Sequence, residues 1–210
     1  MQRSRLAGLL DLSPITLAVA TILLAGADWG ARLAGDSLVP GGPLDEVAHF
    51  LTTLLLFWTL GEGACKRFLV PALIASVLID CDHIPAQLGA WWLTAGTQRP
   101  YSHSLLMIAV VIAAAVLWRR RREVAVGVAI GLAIHFWRDM GEGGGGVPLL
   151  WPISDHSFRY PHGAYVAAMI VVVAIDVGRC ARAQRPANRV ALPLRQTAHA
   201  TEFVSTAEEA

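Results

Sequence analysis

Six apolar stretches, each closed by a short polar break, constrain this chain more than any other feature: about Leu12 to Trp29, Leu44 to Leu60, Ala64 to Ile79, Tyr101 to Trp118, Glu123 to Trp137 and His162 to Val177. Only 16% of the 210 residues are charged and 55% are hydrophobic, so a bilayer is the expected solvent. Most of the stretches fall short of the roughly 20 residues a straight span prefers. Local thinning of the bilayer and interfacial anchors accommodate that shortfall. Trp29, Trp58, Trp118 and Trp137 stand near stretch ends, where an aromatic belt places them. The expected fold is all-α, a polytopic transmembrane bundle of about six spans.

Basic residues favour the cytoplasmic side of short loops. Arg3 and Arg5 precede the first stretch, Lys66 and Arg67 follow the second, Arg119 to Arg122 follow the fourth, and Arg179 to Arg195 follow the sixth. All these blocks fall on one side, which places 13 of the 17 basic residues in the cytoplasm and leaves Arg32, Arg99, Arg138 and Arg159 outside. Both termini are then cytoplasmic. The start also resembles a secretory signal, with Ala25-Gly26-Ala27 as a cleavage-like site, but Asp11 and Pro14 interrupt the passage from basic region to apolar core. Residues 1–180 form the expected membrane domain and 181–210 a mostly disordered cytoplasmic tail without long apolar runs. Cys65, Cys81 and Cys180 lie in separate segments with neither metal-finger nor disulfide-framework spacing.

On this topology six of the seven histidines, His49, His83, His103, His135, His156 and His162, gather at the outer ends of spans, with Asp45, Glu46, Asp80, Asp82, Asp139 and Asp155. Ionisable groups in spans are costly and usually functional, and imidazole with carboxylate is a common ligand set for zinc and similar ions. His135 and Asp139, four residues apart, project from one helix face, as metal ligands or as a hydrogen-bonded pair closing the helix end. Asp80-Cys81-Asp82-His83-Ile84-Pro85 ends the third stretch, where the proline discourages helix continuation and the acids oppose the negative helix end. A bound cation removes that conflict.

Gln98-Arg99-Pro100-Tyr101-Ser102-His103-Ser104 opens the fourth stretch. There His103 is a candidate ligand, Arg99 either holds an anion or anchors a headgroup, and Ser102 either caps the helix or stands by as a poorly placed nucleophile. His49 follows Asp45 and Glu46 on a shared face. His156 and His162, in or beside a loop, are weaker ligand candidates. The glycine run 141–146 and apolar Val147-Pro148-Leu149-Leu150-Trp151-Pro152 suit either a lid over the site or a flexible linker with an interfacial anchor.

In order along the chain, Asp80-Cys81-Asp82-His83-Ile84-Pro85, Arg99 with Ser102-His103-Ser104-Leu105-Leu106, Gly131-Leu132-Ala133-Ile134-His135 with Asp139, and Gly146-Val147-Pro148-Leu149-Leu150-Trp151-Pro152 together resemble the YdjM-type family of bacterial inner-membrane proteins described as metal-dependent hydrolases. The resemblance runs from about His49 to Arg159 and implies that His49, Asp80, Asp82, His83, Arg99, His103, His135 and Asp139 are the family's polar positions. Gln98 replaces a family histidine, and Met140 with a glycine run replaces the family's threonine or asparagine and shorter turn.

The expected activity is therefore hydrolysis of a lipid or lipid-linked ester or phosphoester at the outer interface of the bacterial inner membrane. Its cofactor is one or two divalent metal ions, zinc being the leading candidate. His49, Asp82, His83, His103, His135 and Asp139 are the expected ligands, Asp80 a ligand or general base, and Arg99 the group that stabilises a developing anion. The alternative is a metal- or ion-handling transporter, disfavoured by the few polar groups, such as Thr59, Glu62 and Asp176, at the inner ends. Expected partners are membrane lipids and that substrate, with no nucleic acid. Oligomeric state is not legible.

Overall fold

The computed structural model describes residues 12–205 except 36, 38, 95, 98, 143 and 144, with side chains to residue 183. It is all-helical, and among the described residues the sole β-type pairing is one antiparallel bridge, Val147 with Phe158. Seven α-helices follow one another: α1 (Pro14–Ala34), α2 (Gly41–Leu60), α3 (Glu62–Leu78), the short α4 (His83–Gln87), α5 (Leu105–Leu117), α6 (Arg122–Gly141) and α7 (His162–Ser205). Short 3₁₀ turns at Ile79–Asp82, Trp91–Leu93 and Arg119–Arg121 join some of them.

Local chemistry accounts for the helix ends. Ser13 and Thr16 cap α1 reciprocally, each side-chain oxygen accepting the other's backbone N–H, and Pro14 takes the first position, where no N–H is needed. Gly61 alone separates α2 from α3; its φ of 95° turns the chain back on itself, a conformation that would strain a residue with a side chain.

Four helical segments are long and apolar enough to cross a membrane: Pro14–Ala34, Glu62–Gln87, Arg119–Gly141 and His162–Ala183. The other two expected spans differ. α5 has only 13 residues and begins four residues later than the sequence pattern suggests, because residues 101–104 are turns. α2 has 20 residues, but it carries Asp45, Glu46 and His49 and buries most of its second half against its neighbours. It is the inner helix of the bundle, where polar groups need not meet lipid. Where a mostly disordered tail is expected, residues 181–205 continue α7; the side chains beyond residue 183, His199 among them, lie outside the described set.

The tightest packing in the bundle is between α3 and α6, which run parallel in constant register. A methyl group added to Gly127 would meet the carbonyl oxygen of Phe68 at 2.8 Å, and one added to Gly131 would meet that of Ala72 at 2.2 Å. Only glycine permits this backbone approach, the small-xxx-small device of membrane helices. Continuing in steps of four, Ser76 meets His135, and Asp80 and Asp139 follow at the next turn. The helix contact thus runs straight into the polar cluster.

Candidate metal centre

The same end of the bundle collects polar side chains from four places: His49 from α2, Asp80, Asp82 and His83 from the α3–α4 junction, His103 from the turn before α5, and His135 with Asp139 from α6. The junction is not a helix stop. Pro85 is the third residue of α4, where its missing N–H costs nothing, and the 3₁₀ turn carries the chain onward. That tight turn stacks residues three apart, so His83 Nε2 lies 3.5 Å from Asp80 Oδ1.

Four atoms form the centre of the cluster. His135 Nε2 lies 3.2 Å from His103 Nε2, 3.3 Å from Asp80 Oδ1 and 3.1 Å from Asp139 Oδ2. His103 Nε2 lies 2.9 Å from Asp80 Oδ1 and 3.8 Å from Asp139 Oδ2. Zinc–ligand bonds of about 2.0–2.1 Å in a tetrahedron put ligand atoms about 3.3 Å apart; four of these five distances lie between 2.9 and 3.3 Å and the fifth is 3.8 Å.

The His135 tautomer sharpens this fit. His135 Nδ1 lies 2.8 Å from the Ser76 carbonyl and donates to it, so the Nε2 of a neutral ring bears a lone pair that faces two carboxylate oxygens. His49 lies among three partners: Nδ1 is 3.0 Å from the Asp45 carbonyl and 3.2 Å from Arg138 Nη1, and Nε2 faces Asp139 Oδ1 at 3.1 Å. The two rings stack with centroids 3.9 Å apart. Lone pairs directed at lone pairs are repulsive unless a proton or a cation lies among them. Glu46 Oε2, Asp82 Oδ1 and His83 Nε2 are also buried without a hydrogen-bond partner. Such orphans are rare in native proteins and require an explanation. The residues present fit a divalent cation on all these counts.

Charge points the same way. Six carboxyl groups, on Asp45, Glu46, Asp80, Asp82, Asp139 and Glu142, face two guanidiniums, and the four aspartates alone outnumber them. Arg99 Nη1 lies 3.0 Å from Asp139 Oδ2, and Nη2 lies 3.5 Å from Glu142 Oε2. Burial alone would lower the Arg99 pKa, but Asp139, Asp80 and Glu142 outweigh it and raise the value above the ordinary one. Burial pushes Glu142 up to about 8, with Asp45 and Asp139 adding to the rise against Arg138's opposing pull.

All eight expected site residues converge on this cluster. His49, His103, His135 and Asp139 are fully buried, whereas the Asp80, Asp82, His83 and Arg99 side chains retain between 11% and 27% exposure and form its mouth. Ser102 does not cap a helix; its hydroxyl donates to Asp82 Oδ2, and Ser104 takes the cap position of α5. Arg99 is neither exposed nor a headgroup anchor, being held inside by its two carboxylates. His156 packs on Phe158, and His162 donates to the Gly141 carbonyl, so neither joins the cluster. The 147–152 segment packs on protein: Leu149 accepts from the Leu105 N–H at 2.9 Å, and Trp151 stacks on Tyr101.

Sequence reasoning misses Arg138, which the arginine pattern counts only as an external base. It is 1% exposed and ties α6 to α1 and α2: Nη2 donates to Asp28 Oδ1 at 2.7 Å and Nη1 to Asp45 Oδ1, with Glu142 Oε1 at 3.7 Å. Its signal is an arginine three residues beyond His135 inside an apolar helix. Glu142, hidden in a glycine run, carries no such signal.

A search of curated proteins and a search of solved structures gave no match. A family model described as the YdjM inner membrane protein matches residues 44–203, three quarters of the chain and every residue of the cluster. The polar cluster at the head of α3 and α6 is therefore set in a membrane protein that belongs to the YdjM inner membrane protein family.

Proposed function

We propose that this protein is a membrane-embedded metal-dependent hydrolase acting on a lipid or lipid-linked ester or phosphoester at the outer interface of the inner membrane. The observation that supports it is the buried set His103, His135 and Asp139, whose ligand atoms lie 3.1–3.8 Å apart with Asp80 Oδ1 beside them. His103, His135 and Asp139 would hold one ion and leave its fourth position to water; His49, His83 and Asp82 flank them as candidates for a second ion. The nitrogen and oxygen donor set favours zinc.

A divalent cation bound there supplies Lewis acidity and lowers the pKa of water toward about 7. The chain's own residues supply the rest. Ser76 fixes the tautomer of His135 through its carbonyl. Asp80, at the mouth and 11% exposed, is placed to accept a proton from an entering water. Arg99 directs its guanidinium into the same mouth, where it would hold an ester or phosphate oxygen that gains charge. The orientation of the site toward the outer face rests on the distribution of arginine blocks.

Elemental analysis of purified protein tests the proposal first. Stoichiometric metal in the native chain, lost in His135→Ala and Asp82→Ala, is the expected result; metal retained in both variants refutes the ligand assignment. Labelled phospholipids presented in detergent then separate hydrolysis from ion transport, because product forms without a sealed compartment.

A further inference from the structure

A groove of about 370 Å³ runs between α1 and α7. Its walls are two antiparallel stripes with helical spacing, one descending α1 from Arg32 to Thr21 and the other descending α7 from His162 to Val173. The deep part is apolar, bounded by Leu24, Ala25, Val166 and Met169, while Asp28, Arg32 and His162 stand together at one end. An apolar trough with a charged rim is the complement of an amphiphile. The eleven residue steps of the α1 wall rise about 16 Å at 1.5 Å each, about half the roughly 30 Å of the hydrocarbon core. The trough therefore has the depth of a single leaflet.

The rim is joined to the polar cluster. Asp28 accepts from Arg138, whose other nitrogen reaches Asp45 and His49. His162 donates at 2.9 Å to the carbonyl of Gly141, the last residue of α6, and Tyr165 shares a hydrogen bond with Thr52 of α2. A molecule whose tail fills the trough has its polar head at the Asp28, Arg32 and His162 rim, beside the end of α6 that His162 contacts.

We infer that the α1–α7 groove binds one aliphatic chain of an outer-leaflet lipid and holds that lipid's headgroup at the Asp28, Arg32 and His162 rim, which Arg138 joins to the polar cluster. This inference rests on the hydrolase reading for the fate of the lipid, but not for its binding. The test uses the full chain in vesicles of phosphatidylethanolamine and phosphatidylglycerol carrying a trace of phosphatidylethanolamine with a mid-chain diazirine. After photolysis, mass spectrometry should find label concentrated at Leu24, Ala25 and Met169.

Ala25→Trp and Val166→Trp, which fill the trough, should each lower that labelling about tenfold, equivalent to about 1.4 kcal/mol. Ile22→Trp, on the lipid-facing side at 70% exposure, should leave it unchanged. Label spread evenly over Ile22, Ile112 and Val171 as over the groove, or unchanged labelling in both filled variants, overturns the inference. So does a photo-crosslinked dimer joined through the groove, which would make a second copy the occupant. Groove labelling without lipid hydrolysis sinks the hydrolase reading alone, and hydrolysis without groove labelling sinks this one alone.

Discussion

Replacing Arg138 by glutamine removes the cation that holds three helices' acids together. The guanidinium is 1% exposed, with Asp28 Oδ1 at 2.7 Å and Glu142 Oε1 at 3.7 Å; Asp28, Asp45 and Glu142 are about a fifth exposed. Opposite charges about 4 Å apart attract by about 4 kcal/mol at an effective dielectric constant of 20, but burying all the partners offsets much of that. Stripping one partner from a buried pair costs about 3–5 kcal/mol, because the remaining charges keep their desolvation penalty. Water reaches the acids here, so the lower end applies, and about 3 kcal/mol corresponds to a fall in Tm of roughly 6–12 °C for a chain of this size. Thermal unfolding of the detergent-solubilised protein measures it. Adding Asp28→Asn to Arg138→Gln should recover part of the loss, with a coupling of about 1–3 kcal/mol between the two sites. A fall below about 2 °C with additive single effects would show that the arginine holds nothing together and that the network reasoning is wrong.

Two further predictions test the packing and the charge of the same region. Gly131→Val should prevent α3 and α6 from closing, since even a methyl would lie 2.2 Å from the Ala72 carbonyl; the expected outcome is loss of monodisperse protein in size-exclusion chromatography, and a normally behaved, equally heat-stable variant would contradict the packing. Glu142 has a folded pKa of about 8 against an ordinary 4.5, so the folded state binds more protons than the unfolded state between those values and loses stability as pH rises through them. Glu142→Gln should therefore gain stability over the native chain as pH goes from about 4.5 to about 8, with a constant advantage above; a pH-independent difference in Tm would reject the assignment.

Much of this protein is legible in its amino-acid order. The apolar stretches and the arginine blocks between them mark the helices, and period-four spacing joins His135 to Asp139 on one face. What stays hidden depends on register between elements. No local pattern says that His135 Nδ1 meets the Ser76 carbonyl, because that contact exists only when α3 and α6 are aligned by an offset of 59 residues. Gly127 and Gly131 carry the signal for that alignment, being four apart on one face of the helix. Arg138 escapes because its charge weighs as topology, whereas its place within a buried turn depends on acids from two other helices. The groove is invisible for a related reason: each wall alone reads as an ordinary lipid-facing stripe.

The glycine contact has one more consequence, for the choice of ion. The distance between Asp80 on one side and His135 with Asp139 on the other derives from two main chains pressed together a turn or two below, not from adjustable side chains. The helices act as calipers set to a fixed gauge. On the proposed reading, a larger cation such as calcium, with oxygen bonds of about 2.3–2.6 Å, would have to push apart backbone atoms already in contact, and the stiffness of the bundle itself would then set the size of the ion.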